Sequence, residues 1–284
     1  MLEIPVLSSG MPELPEVETV RRTLAPAIGA KILAAWDSGL GLHMARKPPR
    51  AKLKQLVGAT ITRLHRHGKY LLIETDTPHT LLVHLGMTGR LLIVTKGAPK
   101  AKHTHVVLEL GDRELRFVDA RRFGQIDVVE RGHEKAHEGL ALLGPDGLFE
   151  PVTGAYLFER SRAKQATLKA FVLDQSVIAG VGNIYASEAL WRAKLRPTLR
   201  AHRLTFAKAT VLANAIYEVF ERALTKGGTS LRDFVNAEGR EGTNADYLWV
   251  YGRDGEPCPR DQTKIRRSVL QGRATYYCPT CQTS

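Results

Sequence analysis

Met11-Pro12-Glu13-Leu14-Pro15-Glu16-Val17-Glu18 has the composition of a protein start, although ten residues precede it. A proline freed by removal of its initiator Met would carry a secondary α-amine. Such amines titrate at about 7.7 to 8.0, against about 10.4 for Lys, so an appreciable fraction is neutral and nucleophilic at pH 7 without burial. Val17, Val20, Leu24 and Ala27 recur near helical spacing, and Pro15, Glu16 and Glu18 suit a helix start. Pro12 and Glu13 would then lie just ahead of a positive helix end, whose field disfavours an ammonium and lowers the amine pKa further. Taken alone, the same residues also describe an ordinary Pro-capped surface helix with a solvated Glu13.

Two later segments carry chemistry of their own. In Gly180-Val181-Gly182-Asn183 the glycines permit a tight turn and close backbone approach, and Asn183 is placed to cap a helix beginning at Ile184. Free N–H groups at such an end suit a phosphate, and the same pattern also suits a plain packing corner between helices. All three cysteines stand at or beyond position 258, two of them as Cys278-x-x-Cys281. That clustering favours a metal site over a disulfide framework.

The elements that must position these residues change character near mid-chain. Segments 70–74, 81–84, 91–94, 105–110, 114–118 and 125–129 are rich in β-formers and separated by Gly, Pro or charged turns. They predict a β-sandwich. Helical spacing follows over 167–175, 184–194 and 205–226. Gly-Pro and Asp-Gly steps between 139 and 154 mark a linker, and 229–247, without apolar periodicity, reads as a mobile loop. The fold class is α+β.

Composition supplies an independent constraint. The 284 residues include 41 Lys plus Arg against 29 Asp plus Glu, a formal net charge of +12. That balance fits a polyanionic partner without choosing among DNA, RNA and an anionic membrane. No run of 18 apolar residues occurs, and residues 1–10 lack the basic start and apolar centre of a secretory signal, so a cytoplasmic location is expected.

The segment 11–18, His84-Leu85-Gly86-Met87-Thr88-Gly89, Asp119-Ala120-Arg121-Arg122-Phe123-Gly124, Gly180-Val181-Gly182-Asn183-Ile184-Tyr185-Ala186 and the terminal Cys ribbon occur in order. From residue 11 to the C-terminus the chain resembles the bacterial formamidopyrimidine-DNA glycosylases, relatives of endonuclease VIII. The resemblance implies a catalytic β-sandwich domain (11–139), a linker (140–154), a helix-two-turns-helix DNA-binding domain with a lesion-capping loop (155–249) and a zinc-ribbon-like hairpin (250–284). Residues 1–10 would be an extension absent from the active form. The implied activity is base-excision repair: a bifunctional glycosylase and lyase, acting as a monomer without an obligate protein partner, removes 8-oxoguanine and formamidopyrimidines from duplex DNA.

On this resemblance Pro12 is the nucleophile and Glu13 the general acid and proton shuttle. Lys69 contacts phosphate beside the lesion, and Lys169 matches a lysine implicated in handling the oxidised purine. Met87, Arg121 and Phe123 match residues inserted where the base is extruded, with Ala120 departing from the usual proline. Asn183 and Arg273 contact phosphate. Cys258-Pro-Arg-Asp261, followed after sixteen residues by Cys278-Pro-Thr-Cys281, resembles the family's four-cysteine zinc ribbon, with Asp261 in place of one Cys. Zinc accepts carboxylate oxygen as well as thiolate, so one structural Zn2+ on Cys258, Asp261, Cys278 and Cys281 is expected. Two alternatives remain: an endonuclease VIII-type enzyme for oxidised pyrimidines, and a non-catalytic binder of damaged DNA. Leu14 after Pro-Glu and the Met87, Arg121, Phe123 set look more like the purine-directed branch.

Overall fold

Helix α1 (Leu14–Thr23) begins at Glu13, with Pro15 in its first turn and Arg21 and Arg22 in its last, the charge order a helix dipole favours. The computed structural model describes residues 11–42 and 50–283, so the expected extension 1–10 lies outside the described residues. Two cores meet on α1. Leu14 packs into the core of the C-terminal half, whereas Val17 and Val20 pack into that of the N-terminal half.

The N-terminal half contains β1 (Ala34–Asp37), the helical turn α2 (Arg50–Leu53), β2 (Ile61–His67), β3 (Tyr70–Thr75), β4 (His79–His84), β5 (Gly89–Thr95), β6 (Thr104–Glu109), β7 (Arg113–Asp119) and β8 (Gln125–Glu130). They form two antiparallel four-stranded sheets, ordered β1-β6-β7-β5 and β2-β3-β4-β8. One buried cluster joins Leu71, Ile73 and Val83 of one sheet to Leu108, Leu115 and Phe117 of the other. The sandwich therefore holds. Two strands escaped the sequence reading: β1 is short, and β2 carries Arg63, His65, Arg66 and His67 among its apolar positions.

The C-terminal half contains the turn α3 (Glu138–Ala141), then α4 (Gly154–Ser161), α5 (Leu168–Leu173), α6 (Asn183–Arg192) and α7 (Phe206–Thr225). Thr153, Thr167 and Thr205 cap α4, α5 and α7 by accepting a backbone N–H. The chain ends in the hairpin β9 (Arg266–Leu270) and β10 (Arg273–Tyr277). Gln271 and Gly272, with φ of 50° and 72°, make its two-residue turn. Among the described residues no helix is long and apolar enough to cross a membrane.

The segment 229–247, read as mobile, is tied to the body of the protein in this structure. Phe234 and Ala237 are buried in the N-terminal core, the Ala237 N–H donates to Thr23 Oγ1 at 3.0 Å, and the Ile93 N–H donates to the Ala237 carbonyl at 2.9 Å. Two apolar side chains without periodicity leave no sequence signal for such anchoring.

Candidate active site

Glu13 is buried at the junction of α1 and α6. Its Oε2 accepts the Gly182 N–H at 2.7 Å and the Tyr185 N–H at 3.3 Å, and its Oε1 accepts the Ile184 N–H at 2.8 Å. The cap of α6 is thus a carboxylate from the start of the chain. This corrects the expectation for Asn183: Gly182 occupies the N-cap position, and Asn183 is the first helical residue. The glycines serve this junction. A Cβ at Gly182 would lie 2.3 Å from Glu13 Cδ, and one at Gly180, where φ is +102°, would lie 2.5 Å from the Leu14 side chain.

Burial outweighs the three N–H donors and raises the Glu13 pKa to about 7, with nearby Glu16 adding to the rise and Lys69 opposing it. Glu16 is buried one turn further on. It accepts the Glu13 N–H at 2.9 Å, the Tyr185 hydroxyl at 2.6 Å and the Thr229 N–H at 2.7 Å, and burial raises its pKa too. Asn244 Nδ2 donates to Thr229 Oγ1 at 2.8 Å, which closes the stem of the 229–247 loop onto this network. Glu16 was legible only as a helix-start acid; Tyr185 stood in the Gly180–Ala186 motif and Thr229 and Asn244 in the segment 229–247 without a role assigned to any of them.

Pro12 is buried beside a narrow space bounded by Met11, Glu16, Ile184, Thr229 and Phe234. Its neighbours Met11 and Glu13 also line an open cleft of about 350 Å³, together with Lys69, Met87, Asn183 and Arg273, among others. Lys69 is half-buried at the β2–β3 turn, and burial lowers its pKa against the attraction of Glu13. Gly68 in that turn donates its N–H to Asp146 Oδ2 at 2.7 Å. Phe123 is half-buried and Arg121 exposed, with the Arg121 guanidinium 4.6 Å from the Phe123 ring centre. Met87 and Phe123 are therefore not core residues.

Lys169 is placed differently. Only 1% exposed, it donates from Nζ to the carbonyl of Ala274, one of the residues lining the cleft. At the other end of α6, the three Cys Sγ atoms and an Asp261 oxygen all lie within 4.8 Å of one another. Cys258 and Cys281 Sγ are 3.9 Å apart, and Cys278 Sγ lies 3.4 Å from Asp261 Oδ2. A tetrahedral ion with metal–sulfur bonds of about 2.3 Å and a metal–oxygen bond of about 2.0 Å needs S···S near 3.8 Å and S···O near 3.5 Å. The donor set fits a metal ion.

Residues 11–126 match the family model described as the formamidopyrimidine-DNA glycosylase N-terminal domain, and residues 143–235 match the formamidopyrimidine-DNA glycosylase H2TH domain. A formamidopyrimidine-DNA glycosylase of Carboxydothermus hydrogenoformans is 42% identical over 272 residues, covering 96% of this chain and 100% of the relative. One from Magnetococcus marinus is 43% identical over 279 residues, covering 96% and 99%. The chain belongs to the formamidopyrimidine-DNA glycosylase family. Among solved structures, a Lactococcus lactis formamidopyrimidine-DNA glycosylase (Fpg) in complex with Fapy-dG-containing DNA superposes with a TM-score of 0.87 at 33% identity, covering 96% of this chain and 100% of that one. A complex of the same Fpg with abasic-site DNA gives a TM-score of 0.86 at 33% identity and the same coverage.

Within this Fpg-family fold, Glu13, Lys69, Met87, Asn183 and Arg273 converge on one cleft although they span most of the chain. Lys169 is buried against the carbonyl of Ala274, and the cysteine cluster lies by Trp191 at the far end of α6.

Proposed function

We propose that this protein is a base-excision DNA glycosylase and abasic-site lyase that removes oxidised purines from duplex DNA through an imine on Pro12. The carrying observation is Glu13, a buried carboxyl titrating near 7 beside Pro12, at the edge of a basic-lined cleft in an Fpg-family chain. On this reading the neutral Pro12 amine attacks the sugar carbon bearing the base, the bond to the base breaks, and the base leaves with a proton. Glu13 protonates the sugar ring oxygen, the ring opens, and nitrogen and carbon are left joined as an iminium. A secondary amine gives that iminium a fixed positive charge. It acidifies the adjacent sugar proton and drives successive loss of the 3′ and 5′ phosphates.

Lys69, Asn183 and Arg273 grip phosphates, while Met87 and Phe123 wedge into the stack and Arg121 pairs with the orphaned base. Zinc on Cys258, Asp261, Cys278 and Cys281 orders the hairpin that carries Arg273. Residues 11–139 then form the catalytic domain, 140–154 the linker, 155–249 the DNA-binding domain and 250–284 the metal hairpin.

The nucleophile must be a free amine, because the nitrogen of an internal Pro12 is an amide and forms no imine. The active form therefore begins at Pro12, most simply by translation from Met11 and removal of that Met. Borohydride trapping combined with intact-mass analysis tests both statements. The expected result is a covalent adduct on 8-oxoguanine duplex only with protein beginning at Pro12; trapping by protein that retains residues 1–10 would overturn the Pro12 mechanism. The Lactococcus lactis Fpg has also been solved with an oxidised-pyrimidine-containing DNA. Trapping confined to an oxidised pyrimidine would assign the endonuclease VIII type, and binding without trapping a damage-binding protein.

A further inference from the structure

Lys169 and Asn183 converge on a single backbone oxygen. Lys169 Nζ donates to the Ala274 carbonyl at 2.9 Å and to Ser187 Oγ at 3.2 Å. Asn183 Nδ2 donates to the same Ala274 carbonyl at 3.0 Å. A carbonyl oxygen has two lone pairs, so it accepts both donors at once. The donors come from α5 and from the first residue of α6, while the acceptor lies in β10, one position after the exposed Arg273.

We infer that Lys169 is a positioning residue that, with Asn183, clamps the Ala274 carbonyl and so aims Arg273 into the cleft. This rests on the proposed contact of Arg273 with DNA phosphate. Lys169 is 1% exposed, and its Nζ is already engaged by the Ala274 carbonyl and Ser187 Oγ. Its two partners are protein oxygens.

Charge does not break the clamp. Burial lowers the Lys169 pKa to about 7, with Glu13 opposing the shift and Arg273 adding to it, and both the ammonium and the amine keep N–H donors for Ala274. The neutral form is in fact suited to an enclosed site whose two acceptors carry no charge.

The test combines Lys169→Met, Lys169→Gln, Arg273→Ala and the Lys169→Met/Arg273→Ala double variant. Binding to undamaged duplex and to a tetrahydrofuran abasic-analogue duplex is measured across salt concentrations, alongside single-turnover excision of 8-oxoguanine. Each lost phosphate contact lowers the slope of log K against log salt by about one. Lys169→Met should lower the slope by about that amount on both duplexes, the double variant should match Arg273→Ala alone, and Gln, which keeps a donor, should restore part of the loss. Intact binding and slope with selectively slowed excision would overturn the clamp and make Lys169 a lesion reader.

If Arg273→Ala itself leaves the slope unchanged, the phosphate role of Arg273 fails independently, and amide hydrogen exchange over residues 270–276 decides the clamp. Faster exchange in Lys169→Met than in the parent sustains it; equal exchange overturns it. Unchanged melting and metal content in Lys169→Gln exclude general misfolding.

Discussion

At the scale of single residues, the decisive competition is at Glu13. Three N–H donors and the positive end of α6 favour its carboxylate, yet burial wins and holds the pKa near 7. A raised carboxyl pKa means that the acid form is present below about pH 7 and is lost as pH rises through it. An amine that must be neutral and an acid that must be protonated give a bell-shaped excision profile. Glu13→Gln should reduce base excision by about 10²- to 10⁴-fold. Nicking of preformed abasic sites should suffer much less, because that sugar already equilibrates with its open aldehyde and needs no acid to open it. Equal losses in single-turnover assays on the two substrates would remove Glu13 from the acid step. Pro12 stood out as a candidate through the chemistry of a free proline amine, whereas Glu13 taken alone reads as a solvated helix-start acid and became a candidate only through the resemblance. Their surroundings were not legible, since the donors to Glu13 stand 169 to 172 positions away in the chain. Asn183 shows the same limit from the other side. Asn is a favoured cap, and only the fold reveals that Gly182 holds the cap position while the Glu13 carboxylate accepts the free N–H groups.

At the scale of elements, α6 links the two ends of the site. Its N-terminus meets Glu13, Glu188 in its middle accepts the N–H groups of Trp249, Val250 and Tyr251, and its C-terminal Trp191 and Arg192 carbonyls accept from Arg260. Arg260 also stacks 3.7 Å from the Trp191 ring centre, within the knuckle between Cys258 and Asp261. Metal in the cluster would therefore fix both the hairpin and its seat on α6. Chelation or Cys278→Ser should weaken DNA binding by about tenfold or more, in line with losing a phosphate contact and its support. Asp261→Cys should slow metal loss to a chelator, because a softer thiolate replaces a carboxylate. Metal analysis showing far less than one zinc per chain together with full DNA binding would take zinc out of the hairpin's role. The β-strands of the sandwich core were readable from their own residues. β2 was not, since three of its basic residues take partners in other segments, His65 with Glu74, Arg66 with Asp146 and His67 with the Gly144 carbonyl.

At the scale of the whole molecule, a buried ionic junction joins the halves. Arg66, with no exposed side-chain surface, donates to Glu18 Oε2 on α1 at 3.2 Å and to both Asp146 oxygens at 2.5 and 3.0 Å. Asp146 lies in the segment read as a linker, where charge and glycine suggested only a connection. It also accepts the Gly68 N–H, which places the Lys69 turn, and the Leu148 N–H at 3.1 Å. Removing Asp146 leaves the buried Arg66 with its longer ion pair to Glu18, a loss bounded by the about 3–5 kcal/mol that breaking a buried pair costs. Asp146→Ala should therefore lower the melting temperature by on the order of 10 °C, and Lys69-dependent DNA binding should fall with it. Replacing the pair by apolar residues of similar volume, as in Arg66→Met with Asp146→Leu, should recover part of the melting loss because no charge is left unpaired. It should not recover DNA binding, since the Gly68 N–H still lacks its acceptor. Calorimetry of both variants with matched binding to an abasic-analogue duplex separates the two effects. Recovery of binding along with stability would mean that the junction holds the halves together without positioning the Lys69 turn.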